Sequence, residues 1–144
     1  MTQDDVIDIN DVRQLRGRKI QRSILIIEDD ETIRAALKRM FESEGYRVLA
    51  AADGTQLSSV LDDSAVDLII LDVGLPWING FELAEMMKAN EDLCEIPLVF
   101  LSARTADADI KRGFAVGADD YIKKPFDIEK VKRTVNTLIH LAHD

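Results

Sequence analysis

The feature that most constrains this chain is a series of five short apolar runs spaced along it from Ser23 onward. They are SILII (23–27), YRVLAA (46–51), VDLIIL (66–71), IPLVFL (96–101) and the shorter DYIK (120–123). Several are apolar at consecutive positions, and a strand of that kind needs cover on both faces. The cover is written between the runs. Over 31–44, Ile33, Ala36, Leu37, Met40 and Phe41 share one helical face, and Gly45 stands where a left-handed C-cap belongs. A short helix is predicted after Asp53 over 54–62, another after an N-capping Asn79 over 80–90, and a third over 105–116, ending at Gly117. The last, 127–142, carries Ile128, Val131, Val135, Leu138 and Ala142 at three-four spacing. Five strand–helix units in a row predict an α/β domain: a doubly wound, five-stranded parallel sheet with right-handed crossovers and five helices on its two faces.

A chain of 144 residues suits one domain with a sizeable core. Only one helix follows the last strand, so no second domain is expected there. Residues 1–22 stand apart. Asp4, Asp5, Asp8 and Asp11 precede Arg13, Arg16, Arg18, Lys19 and Arg22, an order that suits a helix dipole, and Val6, Ile9, Val12 and Leu15 recur at spacing three. Two readings stay open for this segment: a tail, or an extra helix that mediates self-association or partner contact. The domain proper is expected over 23–144.

The net charge of −9 argues against nonspecific DNA or anionic-membrane binding, both of which need basic surface. No apolar run approaches the roughly 18–20 residues that span a bilayer. The opening MTQDDVIDINDVRQLRGRK has no apolar core of a secretory signal, and Cys94, the single cysteine, heads no metal motif. A cytoplasmic protein is expected, with no direct nucleic-acid or membrane contact.

In sheets of this kind ligands bind beyond the carboxyl ends of the strands. Glu28, Asp29 and Asp30 follow the first strand, Asp72 the third, Ser102 the fourth, and Lys123-Lys124-Pro125 the fifth. If the first and third strands are neighbours, Glu28, Asp29 and Asp72 meet at one rim. Any one of these is an ordinary solvated loop residue; the set at one end of several strands is not. Two like charges about 4 Å apart repel by roughly 4 kcal/mol at an effective dielectric near 20. The carboxylates must therefore bind protons more tightly or hold a cation. A hard divalent ion with oxygen ligands, Mg²⁺ above all, fits such a set. An ammonium (Lys124) and a hydroxyl (Ser102) complete the parts that handle a phosphoryl group, with a carboxylate available as nucleophile.

The motifs ILIIEDD, LIILDVGLPWINGFEL, VFLSA and GADDYIKKPF, in this order, closely resemble the receiver domain of two-component response regulators, over about 23–142. The family includes single-domain chemotaxis regulators. The resemblance implies a flavodoxin-like sheet of strand order 2-1-3-4-5. It implies that Asp72 is the phosphoacceptor, taking a phosphoryl group from a histidine kinase or a histidine phosphotransfer protein. Asp29 and Asp72 would ligate Mg²⁺, with Mn²⁺ as a substitute, Glu28 would act through a coordinated water, and Gly74 would offer its backbone carbonyl. Lys124 would pair with a phosphoryl oxygen, Ser102 would donate its hydroxyl to another, and Tyr121 would be the aromatic switch behind it. The Lys124–Pro125 bond would be cis. Gly74 and Arg104 stand where the family tunes phosphoryl lifetime. Glu28 departs from the commoner Asp, and Ser102 from the frequent Thr.

The expectation is a stand-alone switch that assists its own phosphorylation and dephosphorylation and is not otherwise an enzyme. Its 105–142 surface would contact an unidentified output protein, pass the phosphoryl group on, or form a homodimer, for which the N-terminal segment is a second candidate. A metal-dependent phosphohydrolase of the haloacid dehalogenase type needs a second acid where Gly74 stands. A flavodoxin-like electron carrier needs a phosphate-cradling first loop, which EDDE would repel. A phosphorylation-independent binding module remains the alternative, and it predicts a missing Asp or Lys.

Overall fold

A computed structural model of the chain describes residues 20–143. The tail or helix expected over 1–22 lies outside them except for its last three residues.

Each strand is followed by one helix: β1 (Ser23–Ile27), α1 (Glu31–Ser43), β2 (Arg47–Ala51), α2 (Gly54–Asp63), β3 (Leu68–Leu71), α3 (Gly80–Lys88), β4 (Leu98–Ser102), α4 (Asp107–Ala115), β5 (Asp120–Lys123) and α5 (Ile128–His143). The five strands form one sheet in the order β2-β1-β3-β4-β5, and all neighbours pair in parallel. The doubly wound sheet and strand order match the sequence reading.

Alternation along the strands explains why their apolar residues are consecutive. Leu25, Ile27, Ile69, Leu71 and Phe100 face a layer built with Leu57 of α2 and Phe81, Leu83, Ala84 and Met87 of α3. Ile24, Ile26, Leu68, Ile70, Val99 and Leu101 face Leu37 and Phe41 of α1 and Val131, Val135 and Ile139 of α5. With period-two side chains and helices on both faces, every position of β1 is buried.

The helix ends follow local chemistry. Asp30, Asp53 and Asn79 accept backbone N–H bonds from Ile33, Gln56 and Phe81. Such caps satisfy donors that a helix start leaves open. Gly45 and Gly117 take positive φ angles of 91° and 106°, where a side chain would be strained. Two expectations are corrected. The helix expected over 105–116 spans only Asp107–Ala115, and its N-cap, Ala106, supplies no side-chain hydrogen bond to hold an earlier turn. In α5 the buried stripe is Val131, Val135 and Ile139, while Leu138 is half-buried, Ile128 is 37% exposed and Ala142 is exposed. The helix turns Ile139 inward at the step where the three-four pattern picked Leu138.

Candidate functional site

Sheet register brings the strand exits together. Ile27 is in register with Leu71, so the next residues, Glu28 and Asp72, leave adjacent strands side by side. The Asp72 N–H donates to the Ile27 carbonyl at 3.1 Å, and the Glu28 N–H to the Ala51 carbonyl at 3.3 Å. β4 delivers Ser102 opposite Lys123 of β5, and the Lys124 N–H donates to the Ser102 carbonyl at 2.8 Å. The Lys124–Pro125 peptide is cis.

Glu28, Asp72 and Ser102 are among the few buried polar residues, at 2%, 7% and 1% exposure. Asp29 is exposed. One carboxylate oxygen from each of Glu28, Asp29 and Asp72 lies within 4.8 Å of the others. Each carboxylate oxygen of Glu28 and Asp72 also accepts one hydrogen bond. Lys124 Nζ donates to Glu28 Oε2 at 2.8 Å and to Asp72 Oδ2 at 3.0 Å. The Gly74 N–H donates to Asp72 Oδ1, and the Asp30 N–H to Glu28 Oε1, both at 3.1 Å.

Burial pushes the Glu28 carboxyl pKa upward; the Lys124 hydrogen bond pulls it back, and the Asp72 charge pushes it up again, leaving a net rise. Burial alone would lower the Lys124 ammonium, but its bonds to Glu28 and Asp72 outweigh that and raise it. Three acid groups and a lysine with a raised pKa make a polarised corner, buried at Glu28 and Asp72 and open to solvent at Asp29. Oxygen donors of this number and hardness fit Mg²⁺ or Mn²⁺.

The loop after Asp72 folds back on itself. Gly74 and Asn79 form an isolated antiparallel bridge, and the Gly80 N–H donates to the Val73 carbonyl at 2.9 Å. A Cβ at Gly80 would stand 2.3 Å from the Asp72 carbonyl oxygen, so the absent side chain is what lets α3 start this close to the end of β3. A Cβ at Gly74 would meet nothing within 4 Å. Trp77, in the same loop, donates its indole N–H to the Ala52 carbonyl at 3.0 Å.

Ser102 Oγ accepts the Arg104 N–H at 3.1 Å, and the Tyr121 hydroxyl donates to the Arg104 carbonyl. The Tyr121 ring is 7% exposed, with its centroid 5.7 Å from that of Phe100. The Arg104 side chain is half-exposed, with Nε 3.9 Å from Asp109. Sequence reasoning missed two participants. Arg34 donates Nη1 to the carbonyls of Glu28 and Asp29 at 2.8 and 3.3 Å, bracing the acidic turn from α1. The other is Gly80, whose only signal was its place beside Asn79.

The family model described as the response regulator receiver domain matches residues 24–136. This chain belongs to that family. The receiver domain is 46% identical to the transcriptional regulatory protein YvrH of Bacillus subtilis over 106 residues, covering 73% of this chain and 44% of YvrH. It is 36% identical to the transcriptional regulatory protein CpxR of Escherichia coli, covering 83% of this chain and 50% of CpxR. The chain thus spans about half, or less, of the length of these curated relatives. Among solved structures it resembles the receiver domain of the sensor histidine kinase PA1611 of Pseudomonas aeruginosa, with a TM-score of 0.74 and 28% identity over 84% of this chain and 99% of that one. That structure carries a magnesium ion in its active-site cleft. Phosphorylation-dependent switching in a two-component system is therefore the family's trade and this domain's class. No helix among the described residues is long and apolar enough to cross a membrane.

Proposed function

We propose that this receiver domain is a cytoplasmic, phosphorylation-controlled switch in which Asp72 takes a phosphoryl group from the phosphohistidine of a histidine kinase or phosphotransfer protein. The observation that carries this reading is the hydrogen-bonded set of Asp72, Lys124 and Glu28, with Asp29 alongside. An Asp72 oxygen bonds to phosphorus, the P–N bond breaks, and an acyl phosphate results. Asp29 and Asp72 would hold Mg²⁺ or Mn²⁺ directly, with Glu28 acting through a water and Gly74 through its carbonyl. The ion, when bound, neutralises phosphoryl oxygens. Lys124 exchanges its Asp72 contact for a phosphoryl oxygen. Ser102 accepts the Arg104 N–H and keeps its own hydroxyl proton to donate to a second phosphoryl oxygen.

Tyr121 reads that movement and passes it to the 105–142 surface, shifting an equilibrium between two arrangements. Open space around Gly74 leaves water access to an acyl phosphate on Asp72 open. Arg104, paired with Asp109, is the second lifetime-tuning residue. The protein thus assists its own phosphorylation and dephosphorylation and turns over no separate substrate.

In the stand-alone arrangement the 105–142 surface meets a separate output protein. A second arrangement has its own support: YvrH and CpxR, both named as transcriptional regulatory proteins, are matched over about half their length or less. There the same surface would act on a covalently attached effector segment. An immunoblot of the native gene product separates the two by size.

Incubation with acetyl phosphate and Mg²⁺, followed by intact mass measurement, tests the chemistry. One labile phosphoryl adduct is expected, lost in Asp72→Asn and blocked by a chelator. An unmodified protein would favour the competing reading, a binding module that works without phosphorylation.

A further inference from the structure

Helix α4 carries a glycine, Gly113, at a buried position within its nine residues. Glycine disfavours a helix interior relative to alanine, so its presence there asks for a compensating contact. A Cβ at 113 would stand 2.7 Å from Tyr121 Cδ2, 3.0 Å from Tyr121 Cε2 and 3.2 Å from Phe100 Cδ2. Phe100 has no room to give, being fully buried and edge-on to Phe81 at 5.3 Å. Arg112 holds the neighbouring flank, with its guanidinium carbon 4.8 Å from the Phe81 ring centre. The Tyr121 ring is the group that must move, because its hydroxyl end lies under the exposed 103–106 segment.

We propose that Gly113 is the position that admits the Tyr121 ring to this inner seat, and that it thereby sets how strongly Ser102 is coupled to the 105–142 surface. The path is short. The ring lies against the bare Gly113 backbone, its hydroxyl donates to the Arg104 carbonyl, and the Arg104 N–H donates to Ser102 Oγ. A methyl at 113 removes the seat and cuts the path at its far end, 41 residues in sequence from Asp72, the nearest metal-site acid. Gly113 is a positioning residue, since it touches no reacting atom. The coupling rests on the switch reading above; the seat itself rests on geometry alone.

The test uses the full chain with 3-fluorotyrosine incorporated and Tyr46→Phe present, leaving Tyr121 as the one label. The parent is expected to show a fluorine resonance well away from the denatured value and protected from a paramagnetic solvent quencher. Gly113→Ala should move it toward the denatured value and expose it, while the acetyl phosphate adduct forms to the same extent in both. Retention of the parent's shift and protection in Gly113→Ala would overturn the proposal, as would a parent resonance already at the denatured value. Thermal melts give a second check. Gly113→Ala should lower Tm by clearly more when Tyr121 is present than in the Tyr121→Ala background, where the two shortest contacts are gone and the 3.2 Å approach to Phe100 is left. An equal change in both backgrounds would overturn the seat. No adduct in either protein would sink the switch reading and the coupling with it, while the resonance still decides the seat.

Discussion

Lys124 stands 96 residues from Glu28 in sequence and 2.8 Å from its carboxylate in the fold. The same ammonium is 3.0 Å from Asp72, so one cation balances two carboxylates that leave neighbouring strands. In Lys124→Met those two acids face each other with no counter-charge. Breaking a buried pair on one side costs on the order of 3 kcal/mol. That loss is expected in chelator, and added Mg²⁺ should restore much of it. Denaturant melts in both buffers check this; an equal loss in each would show that the cation site and the lysine do not share the acids.

Gly80→Ala is expected to damage the loop after Asp72 rather than helix α3. The new methyl would fall 2.3 Å from the Asp72 carbonyl oxygen and 2.5 Å from Val73 Cα, both backbone atoms that can move only with the loop. Overpacking of this kind costs about 1–3 kcal/mol. Acetyl phosphate labelling of Asp72 should slow as well, because the loop holds the Gly74 N–H on the Asp72 carboxylate. Labelling at the parent rate in a destabilised variant would separate the loop from the chemistry.

Alkaline pH should destabilise the domain through its two tyrosines. Burial raises the phenol pKa of both Tyr46 and Tyr121 above the ordinary 10.0, with the Glu44 charge adding to the rise at Tyr46. The folded state therefore binds the phenol protons more tightly than the unfolded state. Their contribution to stability is complete below the ordinary pKa and is lost as pH climbs through the raised native values. Phenolate absorbance in the native protein should show no step at the ordinary value, with ionisation and unfolding appearing above it. A native step at the ordinary value would contradict the burial.

The register of α5 can be read by truncation. Ile139→Ala removes a side chain that is 7% exposed and is expected to cost about 2–5 kcal/mol, as buried Ile or Leu truncations do. Leu138→Ala, one residue earlier on a half-buried flank, should cost clearly less. Urea melts of the pair decide between them, and the reverse order would return the stripe to the three-four pattern.

That pair marks where the sequence stops being informative. Leu138 and Ile139 are both apolar, and a three-four repeat can step to either; packing against β1 and β3 makes the choice. The strand exits were legible because charge next to an apolar run is a local signal. Glu28, Asp29, Asp72, Ser102 and Lys124 could all be picked from their positions alone. That Lys124 bonds Glu28 as well as Asp72 depends on strand order and register, which no local window contains. Gly80 and Gly113 were illegible for another reason. A glycine in a helical stretch records only a missing side chain, and its meaning lies in what packs against the gap.

Trp77 gives the molecule an optical gauge of its own. It is the single tryptophan in the chain, and its indole bonds the Ala52 carbonyl from the loop that begins at Asp72. The one strong fluorophore is thus moored between the exits of β2 and β3. A rearrangement of that loop would strain the Trp77–Ala52 bond, so the proposed ion binding and phosphorylation are expected to change the emission of the unlabelled protein.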